Sequence, residues 1–480
     1  MQTEYDFSRF HLAENGKIVS DEIPGKISRQ LIARQKEIEG SVVSYPRSIP
    51  IAIRRAKGAI IEDMDGNQFI DFFAGAGVLN VGHCNEEVLE YVKEQQIELI
   101  HALDFPTPTK MEAITNILDG LPSHLQGDYK VIFGGPTGSD AVEAAVKLAK
   151  IKTGRDGIIA FSGSYHGMSA TALALTSDVN FRKRITSLVP NVHFVPFCYC
   201  YRCPLGKEVS SCKRDCLSYL RAVLENSHSG IPTPAAIIVE PIQGEGGNIP
   251  FQEGFLEELV SLAHAHDVLV IFDEIQSGFF RSGKFLSFMH TQAIPDIITI
   301  SKGLGGVGFP ISGLIYRKDI EAWGPGDHIG TFRGNQVSLA AANGAFDFVA
   351  RYALAEHTVK MSDLLFEKLK ELQLLYACIG EIRGKGLMIG IEFVKDRTTK
   401  EPYPELVKAF RKACLQKGLI FEVGGHFSNV VRFVPPLIIT PSLIENAVNI
   451  MRASLEELTY NEAPEPQTEV DYLSRTSLQN

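Results

Sequence analysis

A lysine and an aspartate, Lys302 and Asp273, each follow a short apolar run in the stretch VLVIFDEIQSGFFRSGKFLSFMHTQAIPDIITISKGLGGVGFP, residues 268–310. An amine of this kind can form a Schiff base with a carbonyl carbon, and a carboxylate can keep a heterocyclic nitrogen protonated. The runs that carry them, residues 268–272 and 297–300, have the length and β-branching of buried parallel strands. In an open α/β sheet, ligands lie beyond the carboxyl ends of the strands. An amine and a carboxylate at two such ends therefore face one crevice.

Three further strand ends carry polar groups. Val131-Ile132-Phe133 runs into GGPTGSD and then AVEAAVKLAK, a run of strong helix formers. Unpaired N–H groups and the positive end of the helix dipole suit a phosphate there, with Gly138 and Ser139 nearest. Alone, this motif reads equally as a Gly-rich turn with a Ser or Asp cap. Residues 158–161 end in SGSYHG, where Tyr165 beside His166 offers a face for a flat ring. In isolation an aromatic at a strand end is more often core. AAIIVE, residues 235–240, precedes PIQGEGG and sets Glu240 and Glu245 at a fifth strand end. Single loop carboxylates are usually solvated, so this pair gains meaning only from its company. Amine, carboxylate, phosphate seat and aromatic face together are what a pyridoxal phosphate enzyme requires.

A chain of 480 residues exceeds one hydrophobic core, so two or three domains are expected. The formal charge of −10, with no strong basic block, argues against nucleic acid or an anionic membrane as partner. The opening MQTEYDFSRF lacks the basic start and apolar core of a secretory signal, and no apolar run reaches bilayer length. The cytosol is the expected compartment. The expected parse begins with an N-terminal arm and part of a small domain, residues 1–75. It includes an amphipathic helix at 28–39 and a hairpin at Asp65-Gly66. A large cofactor-binding domain covers 76–337, and the small domain resumes over 338–458 with the Ala-rich helix SLAAANGAFDFVARYAL. The Pro- and acid-rich tail, 459–480, is expected to be disordered.

Two patterns point elsewhere. Gly303-Leu304-Gly305-Gly306-Val307-Gly308 matches the dinucleotide fingerprint, but Phe309-Pro310 and a new strand follow it where a helix is required, so a Rossmann site is rejected. Five of the eight cysteines, Cys198, Cys200, Cys203, Cys212 and Cys216, cluster in an insertion at 197–218. They could supply thiolates to zinc or an iron–sulfur centre, but the intervals are not those of a zinc ribbon. Reduced thiols, or a disulfide formed only on oxidation, are the preferred reading, with no metal in the active site.

FDEIQSGFFRSGKF followed by ITISKGLGGVGFPISG resembles the class III (ω-amino-acid) aminotransferases of pyridoxal phosphate fold type I. Five stretches agree in order: GPTGSDAVEAA, SYHGMS, EPIQGEGG, FDEIQSG with SKGLGG, and GTFRGNQ. The resemblance runs from Ile51 to about residue 455. SVVSYPRSIPIAIRRAKGAIIEDMDG, FFAGAGVLNVGH, YHGM and HIGTFRGNQ are most similar to the diaminobutyrate:2-oxoglutarate branch. It implies an α/β fold, with a mostly parallel seven-stranded sheet flanked by helices in the large domain and a smaller α+β domain. It further implies a homodimer with active sites at the subunit interface.

Residue by residue, the resemblance implies that Lys302 carries the cofactor and moves the substrate proton, while Asp273 pairs with the ring nitrogen. Gln276 would bond the phenolic oxygen, and Tyr165 would stack on the ring with His166 beside it. Gly138 and Ser139 would hold the phosphate, joined by Thr331 from the other subunit. Arg432 matches the arginine that grips the α-carboxylate of 2-oxoglutarate or glutamate. Glu245 matches the gate that neutralises it, with Glu240 also on the substrate side. One departure matters: 4-aminobutyrate enzymes carry Arg after the aromatic-His-Gly, where this chain has Met168. The expected reaction moves a terminal amine between L-2,4-diaminobutyrate and 2-oxoglutarate, with aspartate semialdehyde and glutamate on the other side. The alternatives are an ornithine- or 4-aminobutyrate-type aminotransferase, a fold type I racemase or mutase, and a metal- or partner-binding protein with a relict site.

Overall fold

The computed structural model describes residues 5–460. Most of the tail expected at 459–480 therefore lies outside the described residues. The central sheet has seven strands in the order Tyr129–Phe133, Gly313–Arg317, Ile297–Ile300, Leu269–Asp273, Ala236–Val239, Ile158–Phe161, Val192–Val195. Gly313–Arg317 runs antiparallel to both neighbours, and the five strands beyond it are mutually parallel.

Strand residues alternate strictly between two cores. Ile159, Phe161, Ile237, Val239, Val270, Phe272, Ile298 and Ile300 face one apolar cluster. Ile158, Ala160, Ala236, Ile238, Ile271, Ile297 and Leu314 face the other, where Val142, Ala145, Leu148 and Ala149 of the helix Gly138–Thr153 cover them. This period of two, apolar on both faces, is why the strands read as unbroken Ile/Val runs. Each Ile, Val, Leu or Phe among them contributes about 1.5–3 kcal/mol on burial. The glycine-rich fingerprint is a 3-10 turn, Lys302–Gly305, and the chain then doubles back into Gly313–Arg317.

Two smaller sheets flank this one. Ile53–Lys57, Ile60–Asp63 and Gln68–Asp71 form a meander that Leu419–Ile420 joins in parallel. Ile379–Lys385, Met388–Phe393, Val430–Phe433 and Glu422–Gly424 form an antiparallel sheet in that order. Residues 419–424 thus belong to both, and tie the N-terminal strands to the C-terminal ones. Among the described residues no helix is long and apolar enough to cross a membrane.

The five clustered cysteines form no disulfide, and among the described residues no group of three or more His, Cys, Asp or Glu is placed to hold a metal ion. Burial pushes the Cys200 thiol up to about 11 and Cys216 up to about 12, which works against the thiolate a metal needs. The segment instead supplies Tyr199 and Arg202 to a buried carboxylate, Glu392. Arg383 Nη1 donates to the same carboxylate at 2.6 Å and also reaches Glu381. Replacing Glu392 by Ala leaves Arg383 buried with one acid in place of two. The expected loss is about 3 kcal/mol, read as a lower denaturant midpoint of the holoenzyme.

Candidate active site

The carboxyl ends of Ala236–Val239, Leu269–Asp273 and Ile297–Ile300 open into a cavity of about 190 Å³. Gly138, Ser139, Tyr165, His166, Glu240, Glu245, Asp273, Gln276 and Lys302 line it. Five separate strand ends and loops deliver these residues, which the sequence spreads over more than 160 positions.

Asp273 is held from three sides. Its Oδ2 meets His166 Nδ1 at 2.6 Å, while Oδ1 accepts from Thr299 Oγ1 at 2.9 Å and from the Ile275 N–H at 3.1 Å. Thr299 is level with Asp273 on the neighbouring strand. Lys302 sits two residues past that strand with φ 44, in the left-handed region that is strained for a lysine. Burial pushes its amine down to about 8. Arg432 adds to that, while Glu245, Glu240 and Asp273 oppose it.

Glu240 clamps two loops: Oε1 accepts the Tyr165 N–H at 2.9 Å and Oε2 the Gly244 N–H at 3.0 Å. Burial pushes its carboxyl up to about 7. Arg432, fully enclosed, ends with Nη1 2.7 Å from Glu245 Oε1 and Nη2 donating to Gln276 Oε1 at 3.3 Å. Gln276 Nε2 in turn donates to Ala76 O at 3.0 Å. Gly167 has φ 129, and a Cβ there would fall 2.1 Å from Ser139 Oγ. Only glycine lets the Tyr165-His166 loop cross the start of the Gly138–Thr153 helix so closely.

Of the residues expected at the site, Thr331 alone stands apart, exposed in the segment before the helix Gln336–Arg351. Three residues at or beside the site were not foreseen. Thr299 was legible in principle, as a polar residue inside the aliphatic run ITI. Tyr45 and Glu422, which face Arg432 and Glu245, gave no local sign.

The donors and acceptors fit a flat, phosphorylated aldehyde. An amine depressed by burial lies in the same cavity as a fixed carboxylate, and the buried His166 Nε2 has no hydrogen-bond partner. A glycine-serine helix start and an aromatic face complete the cavity. On this sheet, these groups define a pyridoxal phosphate enzyme of fold type I.

The family model for class III aminotransferases matches residues 43–455. The chain is 37% identical over 433 residues to a diaminobutyrate–2-oxoglutarate aminotransferase of Rhizobium meliloti, covering 88% of this chain and 92% of that one. It is 38% identical to the Haemophilus influenzae protein of the same name, covering 89% and 95%. A Bacillus anthracis aminotransferase crystal structure superposes with a TM-score of 0.82 at 26% identity, covering 91% of this chain and all of that one. The chain belongs to the class III aminotransferases, and its cofactor is pyridoxal 5′-phosphate.

Two outcomes test the geometry. Gly167→Ala is expected to weaken cofactor binding by about tenfold or more, read by absorbance titration of apoenzyme, because the added methyl displaces Ser139. With the Lys302 amine at about 8 against an ordinary 10.5, its neutral form accumulates up to pH 8 and then saturates. Cofactor capture by apoenzyme should therefore rise about tenfold per pH unit below 8 and level off above it. A rise continuing to pH 10 would show an amine that burial does not perturb.

Proposed function

We propose that this aminotransferase moves a terminal amino group from a diamino acid, L-2,4-diaminobutyrate, to 2-oxoglutarate, giving aspartate semialdehyde and glutamate, or runs the same exchange in reverse. The ion contact between Arg432 and Glu245 carries this reading. A buried guanidinium suits a substrate α-carboxylate, and a half-exposed glutamate can release it for one substrate and cover it for the other. A racemase or mutase, handling one substrate, has no use for such an exchange.

Pyridoxal phosphate, when bound, supplies an aldehyde that exchanges amines and a cationic ring that takes up electrons from the substrate carbon. Asp273 would hold the proton at the ring nitrogen, its own orientation set by Thr299 and His166. Lys302 would bond the aldehyde and then carry the proton to and from the substrate carbon, which a depressed amine can do near neutral pH. Gln276 would hold the phenolic oxygen, and Tyr165 would pack against the ring. Gly138 and Ser139 would hold the phosphate.

We assign Thr331 to the partner's phosphate in a homodimer. Exposed Ile97, Phe105, Ile329 and Phe332 support this. They share one surface, because the Gln336 N–H donates to Ile100 O at 3.3 Å and Arg333 Nε to Asp104 at 2.6 Å. A contiguous apolar patch of this kind marks an interface. The large domain is taken as residues 76–337 and the small one as 338–458 with part of 1–75, with the cytosol as compartment.

A donor screen following glutamate formation from 2-oxoglutarate tests the function. Diaminobutyrate is expected to exceed ornithine, lysine, 4-aminobutyrate and β-alanine. Lys302→Ala should lower turnover by about 10²–10⁴-fold in the same assay, since the amine assigned to proton transfer is gone. A preference for 4-aminobutyrate would overturn the assignment.

A further inference from the structure

Glu422 and Arg432 are directly opposed across the antiparallel pair Glu422–Gly424 and Val430–Phe433, so both side chains leave the sheet on one face. The guanidinium nevertheless turns away from Glu422. Its stem lies over Gly424, where a Cβ would meet Arg432 Cδ at 2.8 Å, and its Nη1 ends on Glu245. Glu422 is left poorly matched. Its Oε1 accepts the N–H of the adjacent Val423 at 2.9 Å and stands 3.7 Å from Arg411 Nη1. Among the described residues its other oxygen accepts no hydrogen bond, and it is open to solvent. The side chain is only 16% exposed. A carboxylate so enclosed ordinarily has a close cation or several donors.

Arg411, Glu422, Arg432 and Glu245 alternate in sign. Lys302 feels Arg432 and Glu245 from one side, and Glu422 feels the same two from the other. While Glu245 covers Arg432, the cation within 4 Å of Glu422 is Arg411, at 3.7 Å. Tyr45, packed against Phe73, stands beside it.

We propose that Glu422 receives the second ammonium of the amino donor and thereby selects a diamino acid over an ω-amino acid without one. This rests on the donor reading above. 2,4-Diaminobutyrate and 4-aminobutyrate have the same carbon chain and differ only in the α-ammonium. The first brings a positive charge past the Arg432–Glu245 pair towards Glu422. The second brings an unrelieved carboxylate towards Glu422 and Glu245, with Arg432 already engaged. Met168 offers that carboxylate no cation.

The test measures the two donors separately on holoenzyme, by the spectral change of the cofactor in the absence of keto acid, for wild type, Glu422→Gln and Glu422→Asp. In Glu422→Gln, kcat/KM for diaminobutyrate is expected to fall about tenfold or more, chiefly through KM. That for 4-aminobutyrate should rise, because the opposing charge is gone. Glu422→Asp, which keeps the charge, should retain most of the preference, and reads the same ratio should the Gln variant fail to load cofactor. Equal loss on both donors, or an unchanged ratio, overturns the proposal. Wild type that turns over no diamino acid overturns the donor reading and this inference with it. That result is distinct from a wild-type preference that survives in Glu422→Gln.

Discussion

An amine stripped of water at the carboxyl edge of a buried sheet is the constraint on which the rest of this molecule depends. Burial, reinforced by Arg432, pushes the Lys302 amine down to about 8. The same environment is hostile to the charges that chemistry needs around it. Asp273 is therefore given three donors, one from each of three elements. Arg432 is given Glu245, since an uncovered guanidinium would depress the lysine further and leave its own charge unpaired.

Rigidity follows from the same source. Parallel strands with apolar side chains on both faces cannot slip by one residue without exchanging their two cores, so the register that sets Asp273 beside Thr299 is fixed. Lys302, by contrast, leaves its strand in a left-handed conformation, and the 3-10 turn after it absorbs the reversal into Gly313–Arg317. Strain sits at Lys302, and the sheet on either side holds it there.

These features differ in how far they could be read from residue order. The two strands carrying Asp273 and Lys302 were legible, because a short, continuous β-branched run that stops at polar residues suits a buried strand and little else. So were the glycine-serine helix start and the antiparallel return after Pro310. Gln276 was placed by resemblance, but its double attachment, to Ala76 O and Arg432, depends on a loop two hundred residues earlier. Glu422 and Tyr45 were illegible for a related reason. An acid in IFEVGG looks like any alternating strand position until the ladder sets it opposite Arg432. The cysteines attracted attention through spacing, whereas the residues between them, Tyr199 and Arg202, make the contacts with Glu392.

Those contacts give the insertion a place in the same scheme. Glu392 lies on the strand Met388–Phe393, which pairs with the strand bearing Arg432. Arg383, bound to Glu392, also donates from Nε to Gly247 O at 3.0 Å, two residues beyond Glu245. From the other direction the Gly425 N–H donates to Glu245 O at 2.9 Å. Both Glu245 and the strand bearing Arg432 are thus braced from behind by one buried ion cluster, and the insertion supplies two of its members. The cysteine-rich segment contributes to this bracing through Tyr199 and Arg202, while burial pushes the thiols of Cys198, Cys200 and Cys216 up.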